Sequence, residues 1–298
     1  MTVQHDHHLR PAREGRPAGA LLEIGVAAAM VDRASERATL AGTLAGLVRY
    51  RELAKNLVLK DLKLKYRGSV LGFMWSLVNP LVMIGVYTVA FKYILRTSVE
   101  GFVFFLLLGI LPWSFFAGSA SMATGAIIDS GGLMKSVTFP RAILPISIVL
   151  FNLAQYLLTV LVFLPLMLVI YQVPPSGPML LYPVFLALQV LFTIGVALLL
   201  AAGTAFFRDI RHLLEIALSI LFWLTPIVYP LAQVSERMRM LILSTPLSPF
   251  IVAYQQIFYY RTWPDMTVWV VGVSYTLVAL VAGAWLFLRV EDQLSEHL

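Results

Sequence analysis

Lys60, Lys63, Lys65 and Arg67 stand within eight residues, beside Tyr66, and lead without a loop into an apolar run that reaches Asn79 and Pro80. Cations at this spacing bind anions; they do no covalent chemistry. Beside an apolar run the anions at hand are lipid phosphates, because clustered Lys and Arg flanking a membrane segment are drawn to the anionic leaflet. Leu53, Leu57, Leu59, Leu62 and Leu64 are interleaved with Arg51, Lys55, Lys60, Lys63 and Lys65. That pattern predicts a basic amphipathic helix over 49–67, lying in the headgroup plane. Gly68 and Gly72 follow and permit a bend from that plane into the membrane.

Other candidate chemistry is sparse. The chain has no cysteine, which excludes disulfides, thiolate nucleophiles and thiolate metal sites. It has no Gly-x-x-x-x-Gly-Lys-Ser/Thr string and so no loop of that kind to cradle a nucleotide phosphate. Asp129, Asp209 and Glu215 are scattered and do not supply the placed carboxylates that general acid–base transfer needs. His5, Asp6, His7 and His8 form a drawable metal set, but they fall in a polar terminal stretch and are read as part of it. No catalytic residue, metal site or cofactor is assigned to the chain.

The elements that must position the cations follow from composition. Of 298 residues, 59% are hydrophobic and 13% charged, against about 25% charged in a soluble domain. Lipid must therefore be the solvent. The net charge of +6 is concentrated near the start, with 12 of the 22 Lys and Arg before residue 68; it suits membrane lipids as partners, not nucleic acid. A helical span takes about 20 apolar residues, and six segments qualify, at about 73–91, 102–128, 142–171, 179–206, 213–228 and 268–288. Between 142 and 207 there is no charged residue, and Pro174, Pro175, Gly177 and Pro178 divide that run into two spans. Segment 229–266 is rich in proline and aromatics. Its apolar pieces at 238–243 and 248–260 are too short to cross and predict re-entrant helices, with Phe250, Tyr254 and Phe258 as an outer gate. The expected fold class is all-α: a polytopic integral membrane protein with six transmembrane helices, an N-terminal interface helix and re-entrant outer helices.

With the N-terminus inside, 17 Lys and Arg fall on the inner side and 5 on the outer, which predicts cytoplasmic N- and C-termini. Residues 1–46 are expected to be a tail. Their apolar stretch at 18–30 contains Glu23 and lacks a signal-peptide cleavage pattern. Residues 47–290 are expected to be the membrane domain and 291–298 a short tail. No span carries Asp, Glu, Lys or Arg near its centre, where ion-coupled carriers place such groups; energy must be supplied by another chain. Tyr87, Phe91, Trp113 and Phe116 concentrate in the first two spans. Two readings stay open for them: an interfacial belt with core packing, or a conduit lining on which sugar rings stack.

Three strings carry a resemblance. The first is the segment 62–80. The second follows Asp129 and ends in Phe139-Pro140-Arg141-Ala142-Ile143-Leu144-Pro145. The third is Phe206-Phe207-Arg208-Asp209 followed by Thr225-Pro226-Ile227-Val228-Tyr229-Pro230. Over about 47–290 the chain resembles ABC-2 type exporter permeases, best the subfamily exporting lipid-linked polysaccharides such as O-antigen, teichoic acid and galactan. It departs from that pattern at Thr225, where Ser is usual, and at Thr245, where Asn is usual. The resemblance implies a coupling helix that docks on an ATPase through Asp129, Leu133, Lys135, Phe139, Pro140 and Arg141. It also implies a second copy of the chain, a dimer of ABC ATPase subunits holding ATP and Mg, a lipid-linked glycan as cargo and a bacterial inner or plasma membrane as location. A drug or small-lipid exporter of the same superfamily, a membrane-embedded glycosyltransferase and a passive channel are the alternatives.

Overall fold

In the computed structural model, residues 50–68, 74–96, 99–132 and 139–291 are described, apart from the side chains of Tyr66 and Ser76. Every regular element among them is a helix. Helix α1, Arg51–Tyr66, turns Leu53, Ala54 and Leu57 onto a cluster that includes Ile127, Phe139, Ile143 and Phe287. Lys55, Lys60 and Lys63 lie on its exposed side. The helix stops where Arg67 becomes extended (ψ 126°) and Gly68 takes φ +72°, a conformation that glycine adopts without the clash a Cβ would bring.

Helix α2, Met74–Tyr87, continues as a π-helical stretch, Thr88–Ile94. Helix α3, Phe102–Ala123, is apolar all round and is buried on nearly every side, as that composition requires. It ends five residues short of the expected 128, in a turn and the 3-10 turn Ile128–Ser130. Helix α4, Ile143–Ile170, and helix α5, Tyr182–Phe206, are separated at the proline cluster, as predicted. Helix α6 is Ile210–Leu224, and the last long helix, α9, is Met266–Val290. Before α9 come α7, Glu236–Leu243, and α8, Ser248–Tyr254, which runs on as a π-helix to Tyr260.

Among the described residues, five helical stretches are long and apolar enough to cross a membrane: Leu77–Ile94, Phe102–Ala123, Ile143–Ile170, Gly177–Phe206 and Met266–Val290. The chain is an all-α polytopic membrane protein. The bend of 106° between Glu236–Leu243 and Ser248–Tyr260 gives a broken or re-entrant pair where the sequence predicts one. Gln256 ties the far end of the pair to the start of α9, with Nε2 donating to Asp265 Oδ2 at 2.6 Å and Oε1 accepting from the Asp265 N–H at 3.2 Å.

The crossing expected at 213–228 is built differently. Helix α6 has 15 residues, about 22 Å of rise against a hydrocarbon core of about 30 Å. It ends because Thr225 precedes Pro226 and is extended (ψ 137°). Residues 225–228 continue as buried irregular chain. Ile227 lies against Gly109 of α3, where an added Cβ would stand 3.0 Å from Ile227 Cγ2 and 3.1 Å from its Cα. Gln255 Nε2 donates to the Pro226 carbonyl at 2.7 Å. Irregular backbone at membrane depth requires protein cover of this kind.

Helices α5 and α9 make the closest packing. Gly195 meets the backbone of Ala279 and Leu280, and Gly283 meets the Gly195 carbonyl, so neither glycine has room for a Cβ. Thr276 Oγ1 adds hydrogen bonds to Gly272 O (2.8 Å) and across to Leu188 O (3.2 Å). Small residues that let backbones touch are the usual means of helix association in lipid.

Candidate functional site

Four groups of residues carry the expected function. In the interface helix, Lys60, Lys63, Lys65 and Arg67 are exposed, Tyr66 has its side chain outside the described residues, and Lys65 also reaches a neighbouring helix. Its ammonium donates to Gln155 Oε1 of α4 and lies 5.7 Å from the centroid of the Phe151 ring. Partial burial holds that ammonium below the ordinary lysine range, because desolvation disfavours the charged form.

The loop between α3 and α4 is described at its two ends. At the first, Asp129 Oδ2 and Arg211 Nη2 converge over Gly125, which leaves them room by having no side chain. They border a cavity of about 500 Å³ shared with Lys60 and Asp61 of α1. At the second, Phe139 is buried among Ile127, Ile143, Phe287 and the apolar face of α1. Pro140 is half-buried beside it. Arg141 donates its backbone N–H to Glu291 Oε1 at 2.8 Å and its guanidinium to the Glu291 carbonyl. Leu133 and Lys135 lie outside the described residues. The loop is thus joined to α1 through Phe139 and to α9 through Arg141.

The four expected conduit aromatics belong to one ring network. Tyr87 stacks on Phe222 of α6 at 5.6 Å, and Trp113 meets the same ring edge-on at 5.5 Å. Phe91 packs on Phe102 at 6.0 Å. Phe116 stacks on Phe192 at 5.5 Å inside the protomer core. Trp113 also borders an open cavity of about 280 Å³ with Leu218, Ser219, Phe222 and Trp223. Tyr87, Phe91 and Trp113 thus converge on the α2–α3–α6 side, while Phe116 faces α5.

The expected gate residues are all buried. Phe250 lies on Phe192 at 5.4 Å. Tyr254 donates its hydroxyl to Gln189 Oε1 at 2.7 Å and sets its ring edge-on to Tyr182, as Phe258 also does at 5.3 Å. Gln189 Nε2 in turn donates to the Pro112 carbonyl at 2.9 Å. Inside one protomer these side chains lock helix α8 to α3 and α5. Gln189, Asn152, Gln155 and Phe222 are functional candidates that charge counting passes over. Amides in a charge-free apolar run were the available signal, since a buried polar group must find a partner.

Among the described residues no group of three or more His, Cys, Asp or Glu is placed to hold a metal. The site is mechanical: a basic helix, an anchored loop, a short helix with a ring cluster and a bent outer pair. Set among spanning helices, that arrangement belongs to an integral membrane protein.

The chain belongs to the ABC-2 type transporter family, which matches residues 52–259. It is 35% identical over 257 residues to the O-antigen export system permease protein RfbA of Myxococcus xanthus, across 85% of this chain and 97% of that protein. It is 30% identical over 199 residues to a protein of the same name from Klebsiella pneumoniae, across 67% of this chain and 77% of that protein. The polysialic acid transport protein KpsM of Escherichia coli is 24% identical over 204 residues, across 64% of this chain and 75% of that protein.

Proposed function

We propose that this chain is the transmembrane permease subunit of an ATP-driven exporter that moves a lipid-linked polysaccharide from the cytoplasmic side of a bacterial inner or plasma membrane. The observation that carries the reading is the near end-to-end similarity to a permease named for O-antigen export. Two copies form the conduit. Exposed apolar residues on α2 and α6, among them Val86, Val89, Ile216, Ile220 and Trp223, supply a surface for the second copy. A dimer of ABC ATPase subunits, holding ATP and Mg, sits below both loops. Nucleotide biases a two-state equilibrium of the pair, and the Arg141–Glu291 contact passes that bias to α9. Both termini are cytoplasmic, and the bent pair Glu236–Leu243 and Ser248–Tyr260 stands at the conduit exit.

Co-expression with the partner ATPase tests the reading. The chain is expected to copurify as a two-plus-two assembly, to hydrolyse no ATP alone, and to support ATP-dependent movement of a lipid-linked glycan in proteoliposomes. Export by a stable monomer, or export without the ATPase, overturns it.

A further inference from the structure

A cavity of about 420 Å³ lies where α1 meets the first three spanning helices, and no part of the mechanism above uses it. Its polar lining is Lys65, Asn79, Ser114, Asn152, Gln155 and Thr159. Gln155 is 12 residues along α4 from Ile143, about 18 Å of helix rise, so the polar space extends well into the apolar layer. Asn79 and Ser114 are exposed to it, although both sit on membrane-spanning helices. Gly118 makes room for Asn152, whose Oδ1 lies 3.0 Å from where a glycine Cβ would stand. The Asn152 amide is held by the Ile148 carbonyl at 3.0 Å.

Charge and surroundings define what such a space takes. No lining residue is a carboxylate, so the Lys65 ammonium is met there by neutral groups, the Gln155 amide oxygen and the Phe151 ring. An ammonium without a counter-charge in a partly desolvated cavity favours an anion. Trp75, 55% exposed, forms part of the wall, and neighbouring turns of α2 and α4 expose Leu81, Leu158 and Leu161. An anion arriving beside this apolar surface is the head of a lipid. The volume falls in the range of about 300–1,000 Å³ of small-ligand sites.

We propose that this cavity binds the phosphate of a membrane lipid, with Lys65 as the charged donor and Asn79, Ser114 and the Gln155 amide as neutral donors. The phosphate comes from one of two sources: a phospholipid of the inner leaflet or the phosphate of a lipid-linked glycan. The second source rests on the export function proposed above; the first does not.

Native mass spectrometry of the purified full chain tests it. The probes are dioleoylphosphatidylglycerol and geranylgeranyl diphosphate, with dioleoylglycerol as a phosphate-free control. The native chain and Lys65→Arg should retain the phosphate probes over the control. Lys65→Gln should weaken retention of at least one probe by about tenfold or more, the usual size of one charge-assisted hydrogen bond. Ser114→Phe fills the space without touching the charge and should weaken it likewise. Loss confined to the diphosphate assigns the site to the glycan carrier; loss confined to phosphatidylglycerol assigns it to a structural lipid; loss of both assigns it to phosphate in general. Unchanged retention of both probes in Lys65→Gln, or unchanged retention in Ser114→Phe, overturns the proposal. Copurification with the ATPase is read separately, so failure of this site leaves the export reading standing, and failure of that reading leaves the phospholipid arm intact.

Discussion

Arg141 and Glu291, 150 positions apart, are joined twice: the Arg141 N–H donates to Glu291 Oε1 at 2.8 Å, and the Arg141 guanidinium donates to the Glu291 carbonyl. One residue closes the loop after α3, and the other caps the end of α9. The pair ties the end of the last spanning helix to the loop.

Arg141→Ala removes the guanidinium while keeping the backbone bond. A hydrogen bond from a charged group contributes about 1.5–3 kcal/mol. The expected outcome is an assembled transporter that still hydrolyses ATP but exports at roughly a tenth of the native rate. Parallel assays of hydrolysis and export in proteoliposomes check this. Glu291→Gln keeps both acceptor oxygens and is expected to export nearly normally.

Gly195 and Gly283 bring α5 and α9 into backbone contact, and neither tolerates a Cβ. Gly283→Val forces the helices apart and is expected to destabilise the protein by about 1–3 kcal/mol. Thermal unfolding in detergent should show a lower midpoint. Gly85→Ala, at a helical position with open space around it, is the control and should hold the midpoint or raise it slightly, since Ala is the better helix former.

Gln189 bridges the Tyr254 hydroxyl and the Pro112 carbonyl. Gln189→Leu leaves both without this partner and is expected to cost about 1–3 kcal/mol. Tyr254→Phe should be less than additive with it, because the two changes remove one shared bond. A double-mutant cycle of unfolding free energies gives the coupling; strict additivity would show that the bond contributes nothing.

Val252 is buried within α8, and Glu236 is exposed at the start of α7. The chain has no native cysteine, so Val252→Cys and Glu236→Cys can be probed singly with an impermeant external thiol reagent. Labelling at 236 should be fast and at 252 slow. If the bent pair moves during export, adding ATP to the assembled transporter should speed labelling at 252; a rate indifferent to ATP would mark this pair as fixed structure.

Much of the molecule is decided residue by residue, and that part is readable in the sequence. A spanning helix satisfies its own backbone, so apolar length alone locates α3, α4, α5 and α9. The interleaved Leu and Lys of 49–67 specify α1, and the proline cluster at 174–178 specifies where α4 and α5 part. The bent outer pair is legible for the same local reason, since each piece is too short to cross. What the sequence left undetermined depends on partners far along the chain. Whether 225–228 can run irregularly at depth depends on Gly109 accepting Ile227 and Gln255 capping Pro226. Whether Lys65 reaches Gln155, whether Arg141 reaches Glu291, and whether Phe250 meets an opening or Phe192 is settled only when the helices pack. Lipid rewards apolar length wherever it occurs, but it exerts no comparable force on which faces meet. That choice falls to close contacts between small residues and to polar groups that must find one another across the bundle.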